Sequence, residues 1–579
     1  MKTLTGIPVF SGIAIGKAFL YLEDDFPEIP RYSIRKNQVE AEWKRLLRAN
    51  VEAMEEVKVL HEQASREMSK EQADIFEAHL MMLEDTVFQE QIKERLKTTL
   101  QNIEWVVWSI AHELVQKLMA SPDSDLRERA IDISDVSRRI LSKLLSITKK
   151  SLADLSQDVI LVAHDLLPSD VLTMNKDRVK GIAMDMGSRT CHTAILTRAF
   201  EIPAVLGLST LTREINDGEK LVIDGASGVV SINPDKTALD QYEGISRQYR
   251  KKGDELLALR DLPAETTDGY RVTLKANIEV PEEAAQVSRY GAEGIGLYRS
   301  EFLLLTSGQA AEEERQYQVY RQVLEAMGTL PVTIRTMDSG GDKQLPNFQS
   351  PNEKNPLLGW RAIRFSLARP ELFKTQLRAI LRASVHGNAR IMFPMISGIE
   401  ELEQARAILE EAKDECRHKG QVYTEDIAVG SMIEIPSAAM TADILAQRSD
   451  FFSIGTNDLI QYSLAVDRGN EKVDYLAQPF HPAVLRFLKK TIDAAHKQGI
   501  KAAMCGELAG DPSATVLLLG LELDTFSMTA SAIPQVKQII RGVDLESCRV
   551  LANKALECTS YHHVTGLVAA WMADHFPPS

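Results

Sequence analysis

Eight short apolar runs, each followed by a helical pattern, fill residues 264–579. They are Val272–Ala276, Gly294–Tyr298, Val332–Thr336, Arg390–Met395, Ala428–Ile433, Phe451–Gly455, Lys501–Met504 and Thr525–Met528. Strand-like runs alternating with helices predict parallel strands joined by crossover helices. Eight such units predict a closed (β/α)₈ TIM barrel, with a doubly wound open sheet as the alternative. The runs stop at Asn277, Arg299, Arg335 with Asp338, Met395, Glu434, Asn457 with Asp458, Cys505 with Glu507, and Ser527. In a barrel the carboxyl ends of the strands converge on one face. Charged residues at unrelated strand ends make poor core and a coherent polar site.

The residue types in that cluster point to phosphate chemistry. Arg299, Arg335 and Arg468 supply planar, permanently charged forks that suit phosphate and carboxylate. Glu434 and Asp458 are the two carboxylates that, with substrate oxygens and water, can hold Mg²⁺. Any one of these residues alone reads as a surface or ion-pair residue. Their joint position at strand ends reverses that reading.

The first half of the chain is organised differently. Residues 1–30 read as short strands and turns, and residues 35–148 as an all-helical insert of two antiparallel pairs. Its helical spacing runs through Val39–His61, Glu71–Lys97, Ile103–Met119 and Asp125–Leu145, with breakers near Ser69, Asn102 and Ser121-Pro122. Residues 158–234 return to alternating strands and helices, ending in a hairpin over 221–232. Pro234 opens a long charged helix that ends near Leu262-Pro263 and joins the two halves. The expected domains are therefore 1–34 with 149–234 (α/β), 35–148 (helical insert), 235–263 (linker helix) and 264–579 (barrel).

Within the α/β part, Gly187-Ser188-Arg189-Thr190-Cys191-His192-Thr193-Ala194-Ile195-Leu196-Thr197-Arg198 places a histidine after a glycine-led turn, where a helix begins. Free backbone N–H groups and the helix dipole favour an anion there, and neutral imidazole is a good nucleophile near pH 7. The plainer reading of a lone histidine is a cap or a core residue.

Composition narrows the class. The net charge of −15 disfavours nonspecific nucleic-acid binding and suits a basic protein partner. Five cysteines, at 191, 416, 505, 548 and 558, are widely spaced and form no Cys-x-x-Cys, which argues against disulfides or structural zinc and for a reducing cytoplasm. No uninterrupted apolar run is long enough to span a membrane, and no secretory leader is predicted. Gly12-Ile13-Ala14-Ile15-Gly16-Lys17-Ala18 is one residue short of a P-loop and lacks its hydroxyl residue.

The segment around His192 resembles the phosphohistidine signature of the phosphoenolpyruvate-utilising enzymes, Gly-Gly-x-Thr-Ser/Cys-His-x-Ala, with Ser188 in place of the second glycine. Gly294–Leu303, Arg335–Lys343, Asn355–Arg361, Phe452–Leu459, Ala465–Asn470 and Met504–Gly510 extend the resemblance through the barrel, and Asp74–Asp85 carries it into the insert. Together they resemble the Enzyme I proteins of the bacterial phosphotransferase system, which are phosphoenolpyruvate–protein phosphotransferases. That resemblance implies a swivelling phosphohistidine domain with an HPr-binding helical insert and a barrel that binds phosphoenolpyruvate and dimerises. It implies that Arg299, Arg335, Asn457, Asp458 and Arg468 hold the substrate, and that Glu434 and Asp458 hold Mg²⁺. His192 takes the phosphoryl group, and Cys505 protonates the enolate to give pyruvate. The phosphoryl group then passes to a histidine of HPr as the first step of sugar uptake. Rival readings are a regulatory phosphoenolpyruvate-sensing phosphotransferase and a synthase- or dikinase-like enzyme. Leu167 departs from the family, where threonine usually precedes this proline, and Cys191 is the variant more often seen in the dikinase and synthase relatives.

Overall fold

The computed structural model describes residues 2–21, 29–67, 79–83, 85–119, 124–145, 152–153, 155–166, 170, 174–187, 192–301, 313–338, 353, 355–467, 470 and 472–576. The chain forms two compact units, residues 1–253 and 254–579.

The first unit is built on an eight-stranded mixed sheet. Its strands are β1 (Lys2–Thr5), β2 (Ile7–Phe10), β3 (Ile13–Tyr21), β4 (Val159–Ala163), β5 (Val179–Met184), β6 (Ala204–Leu206), β7 (Lys220–Asp224) and β8 (Val229–Ile232), in the order β1-β8-β7-β3-β4-β5-β6-β2. β3 to β6 run parallel and the flanking pairs antiparallel. All five residues of β4 are buried, which is why Val-Ile-Leu-Val-Ala carries no polar alternation. Its odd positions, Val159, Leu161 and Ala163, join one apolar cluster, while Ile160 and Val162 join another. The expected hairpin is present: Leu221 pairs with Ile232 and Asp224 with Val229. Asp224 closes its turn by accepting from the amides of Ala226 and Ser227 at 3.0 and 3.2 Å.

Between β3 and β4 lie the insert helices α1 (Val39–Glu67), α2 (Thr86–Thr99), α3 (Ile103–Met119) and α4 (Ser124–Leu144). Leu46, Ala49, Ala53 and Val57 of α1 repeat at helical spacing and pack with Ile92, Leu96, Val107 and Ile140 in one core. Arg45 ties α1 to the buried Glu104 of α3 at 2.5 Å. The expected helix Glu71–Lys97 is not continuous. Asp85 is non-helical and its carbonyl accepts the Gln89 amide at 3.1 Å, so α2 starts only at Thr86. Aspartate favours such a position because its carboxylate competes for the free N–H groups of a helix start. Residues 71–78 of that expected helix lie outside the described residues.

Helix α5 (His192–Ala199) follows β5, and Ala194 is buried in the cluster that holds Leu161 and Met184. Helix α6 runs from Lys236 to Leu257, ending short of the expected Leu262-Pro263, and the boundary between the units falls inside it.

The second unit is a closed barrel of eight parallel strands in sequential order: β9 (Thr273–Ile278), β10 (Ile295–Arg299), β11 (Pro331–Arg335), β12 (Asn388–Phe393), β13 (Ala428–Ile433), β14 (Phe451–Ile454), β15 (Lys501–Met504) and β16 (Thr525–Thr529). The open sheet is excluded by the pairing of β16 with β9, which runs from Thr525↔Thr273 to Thr529↔Asn277. Phe373, Phe393, Phe452 and Phe526 are fully buried in the main cluster of this unit, each worth about 1.5–3 kcal/mol of transfer free energy.

Candidate active site

Strand closure gathers a buried ionic chain at the carboxyl end of the barrel. Arg335 ends β11. Its Nη2 lies 3.1 Å from Oε2 of Glu301 and its Nη1 3.1 Å from Oδ2 of Asp338. Arg361 reaches Oδ1 of the same Asp338 at 2.8 Å and Oδ2 of Asp458 at 3.4 Å, and donates from Nη1 to the Tyr462 hydroxyl at 3.2 Å. Asp338 is thus clamped between two guanidinium groups. Burial opposes the charge on Arg335 and Arg361. The carboxylates around them more than offset that, so both stay charged far above neutral pH. Among the described residues, each keeps its Nε–H without a partner, which leaves a donor for a ligand.

Glu434 follows β13 directly. Its Oε1 accepts the Met395 amide at 2.6 Å, and Met395 adopts a left-handed φ of 56° to present that amide. A Cβ on Gly455 would lie 2.6 Å from Oε2 of Glu434, so glycine at the end of β14 makes room for the carboxyl group. Burial, with Asp458 and Asp338 adding like charge, pushes the Glu434 carboxyl up to about 8. Among the described residues, Glu301, Asp338, Glu434 and Asp458 are buried around the two guanidinium groups of Arg335 and Arg361. This excess of carboxyl groups suits a hard divalent cation, which takes oxygen ligands and relieves their repulsion.

A carboxyl held protonated by its fold has a consequence for stability. The stability this gives is fully present below about 4.5, falls as pH rises because the unfolded chain releases a proton that folded Glu434 keeps, and is gone above about 8. Glu434→Gln mimics the protonated form. In metal-free protein, calorimetry at about pH 6 and pH 9 should show the melting temperature of the variant gaining on the wild type at the higher pH. A difference that does not change with pH would mean that Glu434 ionises normally.

Cys505 follows β15 and is buried on an apolar layer of Leu297, Met392, Met432 and Phe451 that fills the barrel. Its Sγ lies 3.8 Å from the Ile454 carbonyl. Burial pushes the thiol up, against a hydrogen bond from Ser453 and the charges of Arg335 and Arg299, so the group is a protonated acid at neutral pH. Arg299, ending β10, pairs with Glu279 and remains partly exposed. Asn457 exchanges hydrogen bonds with Glu507, donating to Oε1 at 3.2 Å and accepting the Glu507 amide at 3.1 Å. Asp458 sits in the first turn of the helix Thr456–Leu464. Arg468 lies outside the described residues.

His192 is in the other unit, as the first residue of α5. Gly187 takes the left-handed conformation in the preceding turn, with φ 118°, and its Cβ would come 3.0 Å from the Leu206 side chain. The next residue of α5, Thr193, donates to the Leu166 carbonyl at 3.4 Å. Leu167, Ser188 and Cys191 lie outside the described residues.

The structure therefore brings Arg335, Glu434, Asp458 and Cys505 to one end of the barrel with Arg299 and Asn457. It adds two groups that sequence reasoning passed over, Glu301 and Arg361. Glu301 is two residues past Arg299, and Arg361 lies in an irregular stretch before the helix Ile363–Ala368, where no periodicity marks it. The only sequence signal for Arg361 was the word Asn355–Arg361 itself. Among the described residues, no group of three or more His, Cys, Asp or Glu side chains is arranged to hold a metal alone.

Three family models match the chain: the N-terminal domain of PEP-utilising enzymes over residues 5–129, their mobile domain over 155–228, and their PEP-binding domain over 254–545. A phosphoenolpyruvate-protein phosphotransferase of Haemophilus influenzae is 42% identical over 99% of both chains. One from Geobacillus stearothermophilus is 44% identical over 98% of each. A solution structure of Enzyme I (nEIt) is similar at 38% identity, covering 43% of this chain and 99% of that one, with a TM-score of 0.38.

Proposed function

The chain belongs to the phosphoenolpyruvate-utilising enzymes, and on that footing we propose how its own residues carry a phosphoryl group from phosphoenolpyruvate to protein. It is an enzyme of the phosphoenolpyruvate–protein phosphotransferase kind, as its relatives are. A dikinase-like or purely regulatory reading is not favoured, since the alignments run nearly end to end with these relatives. The observation that carries the reading is the buried chain Glu301–Arg335–Asp338–Arg361–Asp458 beside Glu434.

Substrate phosphate and carboxylate bind at the barrel mouth, facing Arg299 and Arg335, and the family resemblance assigns Arg468 to them as well. The guanidinium groups of Arg335 and Arg361 are charged and held in place by carboxylates, so little reorganisation is needed when charge develops on the transferring group. Glu434 and Asp458 would hold Mg²⁺, as their oxygen donors and the local excess of carboxyl groups fit it. A Mg²⁺ held by these two carboxyl groups would supply electrostatic stabilisation of the transferring group. A ring nitrogen of His192 attacks phosphorus in line, the P–O bond to the enol breaks, and the enolate leaves. Cys505 gives its proton to the methylene carbon, forming pyruvate. Phosphohistidine is then passed to a histidine of a small carrier, HPr, docked on the helical insert. Exposed Leu47 and Val51, one turn apart on α1, offer apolar contacts for such a partner.

Intact-protein mass spectrometry under conditions that preserve phosphohistidine tests the reading. Phosphoenolpyruvate with Mg²⁺ should add one phosphate at His192, and HPr should remove it. Labelling from ATP instead would overturn it. Cys505→Ala should slow pyruvate release by roughly 10²-fold or more, the usual worth of a general acid. Its circular dichroism should be unchanged, and pyruvate release at the wild-type rate would remove Cys505 from the reaction.

A further inference from the structure

The opposite end of the barrel is also polar. A cavity of about 240 Å³ opens where the strands begin, lined by Lys275, Arg390 and Lys501 together with the hydroxyl residues Thr273, Thr333 and Thr525. Thr273, Lys501 and Thr525 are the first residues of their strands. The apolar layer of Leu297, Met392 and Met432 lies between these strand starts and the catalytic mouth.

Among the described residues the three cations have no paired counter-ion. Lys275 is 8% exposed, yet neither it, Arg390 nor Lys501 makes an ion pair or hydrogen bond with any described residue. The Phe451 ring lies 5.9 Å from the guanidinium carbon of Arg390. The acid that acts on Lys275, Glu293, is already engaged by Arg271 at 2.9 Å and the Leu274 amide at 3.3 Å. Burial, reinforced by repulsion from Arg390 and Lys501, brings Lys275 down to about 8. Grouping like charges in a concave, partly desolvated space is costly, and a barrel core ordinarily fills this end with branched apolar side chains. A bound anion would offset that cost.

We propose that the amino-terminal end of the barrel is a second ligand site, for a small oxyanion bearing a phosphate or carboxylate group. The cavity is smaller than the ~300–1,000 Å³ typical of larger organic ligands, which restricts it to a compact anion. Lys275 and Arg390 grip the anion, Lys501 guards the rim, and the threonine hydroxyls complete its hydrogen bonds.

Isothermal titration and thermal melting of the full chain test this, with inorganic phosphate and malonate as probes and chloride at matched ionic strength as reference. The catalytic mouth binds anions too, so the comparison is between the wild type and Lys275→Met. The wild type should show two binding events. The variant should keep one and weaken the other at least about tenfold, with pyruvate formation at saturating substrate unchanged. Stronger binding of phosphate than of malonate assigns the phosphate group, and the reverse the carboxylate. If Lys275→Met does not fold, Lys501→Gln, at an exposed rim position, should weaken the same event. Identical stoichiometry and melting shifts in the wild type and the folded variants would overturn the proposal.

Discussion

His192→Ala should abolish phosphorylation while leaving the barrel able to bind phosphoenolpyruvate and Mg²⁺. The two halves of the chemistry lie in different compact units: His192 opens α5 within residues 1–253, and the arginines and carboxylates of the mouth lie within 254–579. The ion pairs of Arg335 and Arg361 at the mouth join residues of the second unit. Alanine is a good helix former, so α5 loses a nucleophile without losing its backbone. Intact mass should record no added phosphate, and titration calorimetry should record substrate affinity within about threefold of the wild type. Loss of binding in this variant would refute the division of labour between the units.

The second large effect is expected at a residue that sequence reasoning overlooked. Arg361→Met keeps much of the side-chain length and removes the guanidinium shared by Asp338 and Asp458. Breaking one partner out of a buried ionic network typically costs about 3–5 kcal/mol, because the remaining charges are stranded. Denaturant unfolding of the variant should show a loss of that order. The turnover loss should be at least about 10²-fold, the scale on which removing one preorganised electrostatic group acts. Arg361→Met combined with Asp338→Asn separates the two roles. Neutralising the stranded carboxylate should recover part of the stability and none of the activity. Recovery of both would mean that Arg361 serves only the fold.

Much of this was legible before any coordinates. The run Ala428–Ile433 is strand β13 and Lys501–Met504 is β15 to the residue, and the other six strands lie within two residues of expectation. Strand and helix periodicity is a short-range property, set by how neighbouring side chains alternate between two faces or wind round an axis. Residues just past the strands could therefore be named as well: Glu434 and Asp458 stood out by chain position, whereas the role expected of Cys505 came from the family resemblance. The broken helix at Asp85 marks where that reasoning fails, since a single capping residue can interrupt an apolar pattern that otherwise continues.

What the sequence by itself determined is the order and type of the elements, and the set of reactive residues that their ends carry. Only the tertiary structure decided which of those residues act on one another. Arg361 is 97 positions from Asp458, and Lys275 lies more than 100 positions from Arg390 and more than 200 from Lys501, distances over which no local pattern carries information. Closing the barrel removes water from these groups and sets their charges side by side. That raises the Glu434 carboxyl, fixes the arginines as cations, and leaves three positive charges around one cavity. Burial and proximity are properties of the closed fold, and electrostatic energy depends on both.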